Sequence, residues 1–384
     1  MNKKEVAEIK RLFHPDRCPI TRICGCYVDG EKNKKTKLKE AFLSLPEEEM
    51  FKYFEILKKT LSGTIGRNLL DMEFPLAQET GGGAQEYLMR LKSSQLKDDE
   101  LLDEFYDKVI ETFMYPENYY IVLIHAAYDI PKKASDGMEM FDASDDVYDF
   151  ILCSICPVKL TKPGLCYNED TNAIEQRIRD WFVEVPVTGF LFPAFTDRNT
   201  DIHSILYYSK NPEELNADFA RLLLGCELPL SASSQKETFN TLIADTLQND
   251  CTYETVKTIH ETLNDLLEER KDDPNPVALD KNDVKRLLLE NGAAEETLEH
   301  FDEEFEQAGG DNQTALYVSN VVNTRKFEIK TPNITIQVKP ECADLIETRI
   351  LEGRPYFVIP ADDSVEVNGI PVRTVPDSSR EDLS

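Results

Sequence analysis

The segments Tyr119-Tyr-Ile-Val-Leu-Ile-His-Ala-Ala-Tyr128 and Val147-Tyr-Asp-Phe-Ile-Leu-Cys-Ser-Ile-Cys-Pro-Val158 decide the fold. Both are rich in β-formers and run almost without a polar break. A strand covered on one face alternates apolar and polar residues, whereas one covered on both faces does not. These two segments are therefore predicted to be inner strands of a sheet with layers on both sides. Tyr119–Tyr128 is also the longest apolar stretch, and at about half the length of a bilayer span, with His125 inside it, it predicts no membrane helix.

Working outward, Val183–Phe195, broken by Pro186, and Ile202–Tyr208 read as further strands. Toward the N-terminus, Ile20–Val28 is a strand that Asp29-Gly30 turns into a lysine-rich second arm reaching Leu45. Helices are predicted at about Asn2–Phe13, after a capping box in Ser44-Leu-Pro-Glu47, at Gln85–Leu91 after Gly81–Gly83, and at Asp98–Met114. Residues 1–210 therefore read as an α/β unit around a mixed sheet. At Asn211-Pro-Glu-Glu214 an N-cap signal opens a helical, acidic stretch, 211–310, with apolar stripes at Val256, Ile259, Leu263, Leu266 and Leu267 and at Ala294, Leu298, Phe301 and Phe305. Residues 311–374 form a small β-rich module with turns at Asp362-Asp363 and Asn368-Gly369, and 375–384 a disordered tail. The expected class is α+β.

An apolar fraction of 41% supports real cores in a chain of 384 residues, a length that favours more than one domain. Nine cysteines, an odd number, and an N-terminus without a secretory h-region predict a reducing, cytoplasmic setting. The net charge of −29 opposes approach to DNA or anionic lipid. It is unevenly spread. Residues 1–40 hold eleven Lys/Arg against six Asp/Glu, a net of +5, while 211–310 hold 24 acidic against 8 basic, a net of −16. Arg22, Lys32, Lys34, Lys35, Lys37 and Lys39 make a cationic segment with two readings. It either stands free and contacts a nucleic-acid backbone, or docks onto the protein's own carboxylates.

No complete catalytic signature occurs. Cys153 and Cys156 have a thiolate-metal spacing, but on a strand they point to opposite faces and equally serve as core fillers. Asp197, Asp201 and His203 offer carboxylates and an imidazole to a cation, or simply cap a hairpin loop. Gly81–Gly83 lacks the lysine-serine ending of a phosphate loop. Asp280–Asn291 with Ala294–Gln307 has a helix–turn–helix outline, yet ten acidic residues against three basic between 280 and 306 would repel phosphate. No cofactor is implied.

Ile20–Val28, Lys58-Lys-Thr-Leu-Ser-Gly63, Tyr148–Pro157 and Gly189-Phe-Leu-Phe-Pro-Ala-Phe195 resemble an uncharacterised family of anaerobic Gram-positive bacteria, catalogued as a domain of unknown function. This resemblance covers nearly the whole chain and implies a cytoplasmic bacterial protein. Tyr207-Tyr-Ser-Lys210, Ala217–Cys226 and Ser231–Leu242, with Phe327–Lys330, Ile334-Thr-Ile336 and Val365–Arg373, resemble the 37-kilodalton nucleoid-associated proteins. That second likeness implies a non-enzymatic, nucleoid-associated or nucleic-acid-proximal homodimer. DNA would then meet the basic N-terminal segment, and basic protein partners the acidic helices. The alternatives are an acidic protein–protein interaction factor without DNA contact, and a metal-binding protein or enzyme.

Overall fold

The computed structural model describes residues 1–133, 139–140, 146–291, 293, 298, 300–307, 315–361 and 365–372. The chain divides into two compact units, Met1–Glu237 with Asp272–Ala278, and Thr238–Lys271 with Leu279–Ser384. The class is α+β, as the sequence predicts.

The first unit is built on an eight-stranded sheet of β1 (Ile20–Val28), β2 (Lys34–Ala41), β3 (Leu69–Glu73), β4 (Tyr119–Asp129), β5 (Val147–Leu160), β6 (Trp181–Val183), β7 (Thr188–Phe192) and β8 (Ser204–Ser209). The order is β2-β1-β4-β5-β7-β8-β3, with β6 paired to the far end of β5. Every pairing in it is antiparallel, which corrects the expected mixed sheet. Helices between strands suggested parallel crossovers. Here strands arrive as hairpins, β1–β2 and β4–β5, while the helices lie on long connections ending at non-neighbouring strands.

The alternation hidden inside the apolar runs is between two cores. Ile121 and Leu123 of β4 with Ile151, Cys153 and Ile155 of β5 face one side, under α3 (Ala84–Ser93) and α4 (Asp99–Thr112). Val122, Ile124 and Ala126 with Phe150 and Leu152 face the other, under α1 (Lys3–Arg11) and α2 (Glu47–Thr60). Burial on both faces explains why neither strand shows polar spacing.

Two helix starts differ from expectation. Ser44 sits in a 3-10 turn and donates to Ala41 O at 2.6 Å, so α2 begins at Glu47 behind Pro46, without a capping box. Asn211 opens an Asx turn, accepting from the Glu213 amide at 3.2 Å, and no helix follows directly. Where the sequence suggests a boundary after 210, residues 211–237 group with the sheet unit. Phe219, Ala220, Leu223, Leu224 and Cys226 are buried in the core beside α4, so these residues complete a layer of the sheet.

In the second unit, Ile259 and Leu263 are the buried positions of the helix Tyr253–Glu269. Helix Lys281–Glu290 is capped by Asp280, and Phe301–Gln307 buries Phe301 and Phe305. Three antiparallel hairpins follow, Phe327–Lys330 with Thr335–Val338, Glu347–Leu351 with Arg354–Val358, and Val365–Val367 with Ile370–Val372. Asn368 and Gly369, at φ 53° and 78°, make the two-residue turn the sequence announces. Ala294, Asp362-Asp363 and the expected tail, 375–384, lie outside the described residues. Among the described residues no helix is long and apolar enough to cross a membrane.

Candidate functional site

The lysine run is the edge strand β2. In register, Cys24 faces Lys39, Cys26 faces Lys37 and Val28 faces Lys34. Strict alternation would put Lys35 rather than Lys34 on the side of Lys37 and Lys39. A bulge opposite Tyr27 and Val28 makes Lys35 the extra residue and returns Lys34 to that side. All three then meet α4, whose Asp99, Asp103 and Asp107 recur every four residues along one face.

Lys34 reaches Asp103 at 3.1 Å and Asp107 at 2.7 Å, Lys37 also pairs with Asp103, and Lys39 with Asp99. Lys35 pairs at 2.8 Å with Asp29, in the turn that Asp29 itself builds by accepting from the Glu31 and Asn33 amides. Lys32 points its ammonium at Ile110 O, 3.4 Å away in the last turn of α4. The charges shift one another's pKa. Lys35 and the Asn33 amide pull Asp29 down to about 2, and Lys37, then Lys34, hold Asp103 below the usual carboxylate range. Burial works against the charge on Lys34, but Asp107 and Asp103 outweigh it and its pKa rises. Arg22, opposite Ala41 and His125, has no ion pair among the described residues. The segment is thus mostly neutralised in place, and a row of lysines on an edge strand also guards it against pairing with another chain.

Cys153 and Cys156 are fully buried, Cys153 in the core beneath α3 and α4, with Cys156 three residues along on the opposite face. Burial drives both thiols far above their usual pKa. Asp197 and Arg198, at φ 51° and 56°, are the turn of the hairpin Ala194–Thr196 with Asn199–Asp201. Glu5 accepts from the Asp197 amide at 2.7 Å, Arg198 pairs with Glu8 at 2.9 Å, and Asp201 accepts from the His203 amide at 3.1 Å. His203 Nδ1 lies 2.7 Å from Glu79. Asp201 and His203 are committed locally, Asp197 is engaged through its backbone, and among the described residues no cluster of His, Cys, Asp or Glu could hold a metal.

The sequence reading missed a polar cluster at one end of the sheet. A bulge between Ile20 and Arg22 turns the Thr21 hydroxyl to within 2.6 Å of His125 Nδ1. His125 Nε2 lies 2.6 Å from Asp149, close enough to pair electrostatically without hydrogen-bond alignment, and Lys92 approaches the same carboxylate at 3.4 Å. Burial opposes the Asp149 charge, but His125 and Lys92 prevail and lower its pKa. A hydroxyl, an imidazole and a carboxylate in line invite comparison with a hydrolytic triad. The ring nitrogens are reversed, however, and His125 is only 1% exposed, so no substrate reaches the proton-carrying group. The cluster ties β1, β4, β5 and α3 together.

A second missed feature lies between β5 and β7. Leu165–Asn168 and Ala173–Gln176 form a hairpin in which Tyr167 faces Ile174 and Leu165 faces Gln176. Leu165, Tyr167 and Ile174 therefore share one face, and each is more than half exposed. Ile178 and the exposed Trp181, Phe182 and Val183 of β6 follow in the chain. Glu169, Asp170, Glu175 and Asp180 accompany them, Glu184 is paired with Lys159 at 3.1 Å, and Arg177 and Arg179 bond to the backbone of Gly164 and Thr161 at the base. The β-formers Leu165, Tyr167 and Ile174 on either side of the turn residues 169–172, and the single tryptophan, were the available signal.

Comparison with curated proteins returns no match, and nothing found carries the nucleoid resemblance. The family model described as Domain of unknown function (DUF4317) matches residues 1–370, and the chain belongs to that family.

Proposed function

We propose that this chain is a protein-interaction factor that presents the hairpin of residues 165–176, with strand β6, to a basic partner protein. The observation that carries this reading is the uncovered apolar face of Leu165, Tyr167 and Ile174. A two-stranded hairpin is marginal alone in water, and an exposed apolar face with a polar rim is how interaction surfaces are built. The charge of −29 and the acidic rim favour a basic partner and disfavour a second copy of the chain.

The nucleic-acid reading is weaker on the same physical grounds. A phosphate approaching Lys34, Lys37 or Lys39 would have to displace Asp99, Asp103 or Asp107 and then sit beside them. Immobilised full-length protein exposed to native lysate tests the choice. Basic proteins should be retained after nuclease treatment and lost from a Leu165→Ser, Tyr167→Ser, Ile174→Ser variant. Retention by the variant, loss on nuclease treatment, or concentration-dependent dimerisation abolished by those substitutions would contradict the proposal.

A further inference from the structure

Lys10-Arg11 and Lys58-Lys59 occupy the closing turns of α1 and α2. The Pro15–Arg17 turn that follows α1 adds Arg17. These elements border a cleft of about 630 Å³ lined by Lys10, Arg11, His14, Arg17 and Lys58, with Asp16 as its one carboxylate. The Asp16 amide donates to His14 Nδ1 at 3.3 Å, closing the turn. Four permanent cations against one carboxylate give the lining a net of +3 inside a chain of −29.

Cations in a last helical turn complement the helix dipole, which accounts for each lysine separately. It does not account for their convergence on one concavity without neutralisation. Among the described residues, Lys10, Arg11 and Lys58 have no ion pair, unlike the lysines of β2. Lys10 instead donates to Ser62 Oγ at 2.6 Å, and Ser62 donates to Lys58 O at 2.5 Å, so its ammonium is oriented while its charge stays unanswered. Burial, and after it the neighbouring charges of Lys59 and Lys58, lower the Lys10 pKa.

We propose that this cleft binds a small phosphate-bearing anion, with Arg11 offering a planar donor fork and Lys10 and Lys58 point charges. Guanidinium forks match phosphate oxygens in pairs, and the volume is that of a small-ligand site. Among the described residues no phenylalanine, tyrosine or tryptophan lines the cleft, and recognition rests on the cations that surround it. A long polyanion is disfavoured because it would run onto the acidic body, whereas within a screening length of about 8 Å the local cations dominate. The site is independent of the hairpin surface.

Calorimetric titration of the full-length protein with inorganic pyrophosphate tests it, with orthophosphate and citrate as parallel arms. The expected result is saturable one-site binding of pyrophosphate that weakens with salt. Arg11→Ala with Lys58→Ala should weaken it about tenfold or more, while Arg177→Ala with Arg179→Ala leaves it unchanged. The proposal is overturned by absence of saturable binding, by equal affinity in the Arg11/Lys58 variant, by equal loss in the Arg177/Arg179 variant, or by tighter binding of citrate than of pyrophosphate. Thermal melts of each variant establish that a loss is not unfolding.

Discussion

At Gly189, in the middle of β7, a Cβ would stand 2.3 Å from the Cys153 carbonyl oxygen and 2.7 Å from Thr60 Cγ2. The glycine is there so that the sheet can accept the close approach of α2, where Thr60 shares a 2.6 Å hydrogen bond with Ser154. Gly189→Ala is expected to cost about 1–3 kcal/mol, read by urea denaturation, because backbone rather than a flexible side chain is struck. Burial also fixes the cysteines. It raises Cys24 and Cys26 to about 11 and Cys226 to about 12, and Cys153 and Cys156 further still. Iodoacetamide at neutral pH should therefore label exposed Cys166 and leave those five until the protein unfolds. His203 is raised for a different reason, since its hydrogen bond to Glu79 favours the charged ring and lifts it above the ordinary 6.5. A raised folded-state value means the pair stabilises fully below 6.5 and loses its effect as pH rises through the raised value. A histidine NMR titration should show that elevation and its loss in Glu79→Gln.

At the scale of elements, the docking of β2 on α4 joins a strand of lysines to a helix of aspartates about 60 residues later in sequence. The helical spacing of Asp99, Asp103 and Asp107 was legible, and so was the lysine run. Their meeting was not, because it depends on which strand lies at the edge and on a bulge that shifts Lys34 by one position. Replacing the three aspartates by lysine should lower the melting temperature most at low salt, and high salt should narrow the difference. An equal loss at all ionic strengths would mean that α4 needs those side chains for something other than charge. The inner strands β4 and β5 were readable for the opposite reason. Their burial on both faces writes itself into unbroken apolar text, whereas antiparallel pairing is set by connections that carry no local signal. The capping readings at Ser44 and Asn211 failed because both side chains close turns of their own before any helix begins.

For the whole molecule, a formal charge of −29 is a poor guide to any one site, because neutralisation is local. Lys34, Lys35, Lys37 and Lys39, conspicuous in sequence, are answered by carboxylates within 4 Å, while Lys10, Arg11 and Lys58, inconspicuous in sequence, line one cleft. The arrangement of β2 on α4 is what turns the functional reading from nucleic acid toward protein contact. Its most direct test is fluorescence anisotropy of labelled duplex DNA at low salt, comparing the native chain with Asp99→Asn, Asp103→Asn, Asp107→Asn. The native chain should show no binding through β2, and the variant, with its lysines uncovered, should gain weak affinity with a log–log salt slope of roughly −3. Tight, salt-dependent binding by the native chain that disappears in Lys34→Glu, Lys37→Glu, Lys39→Glu would contradict the account.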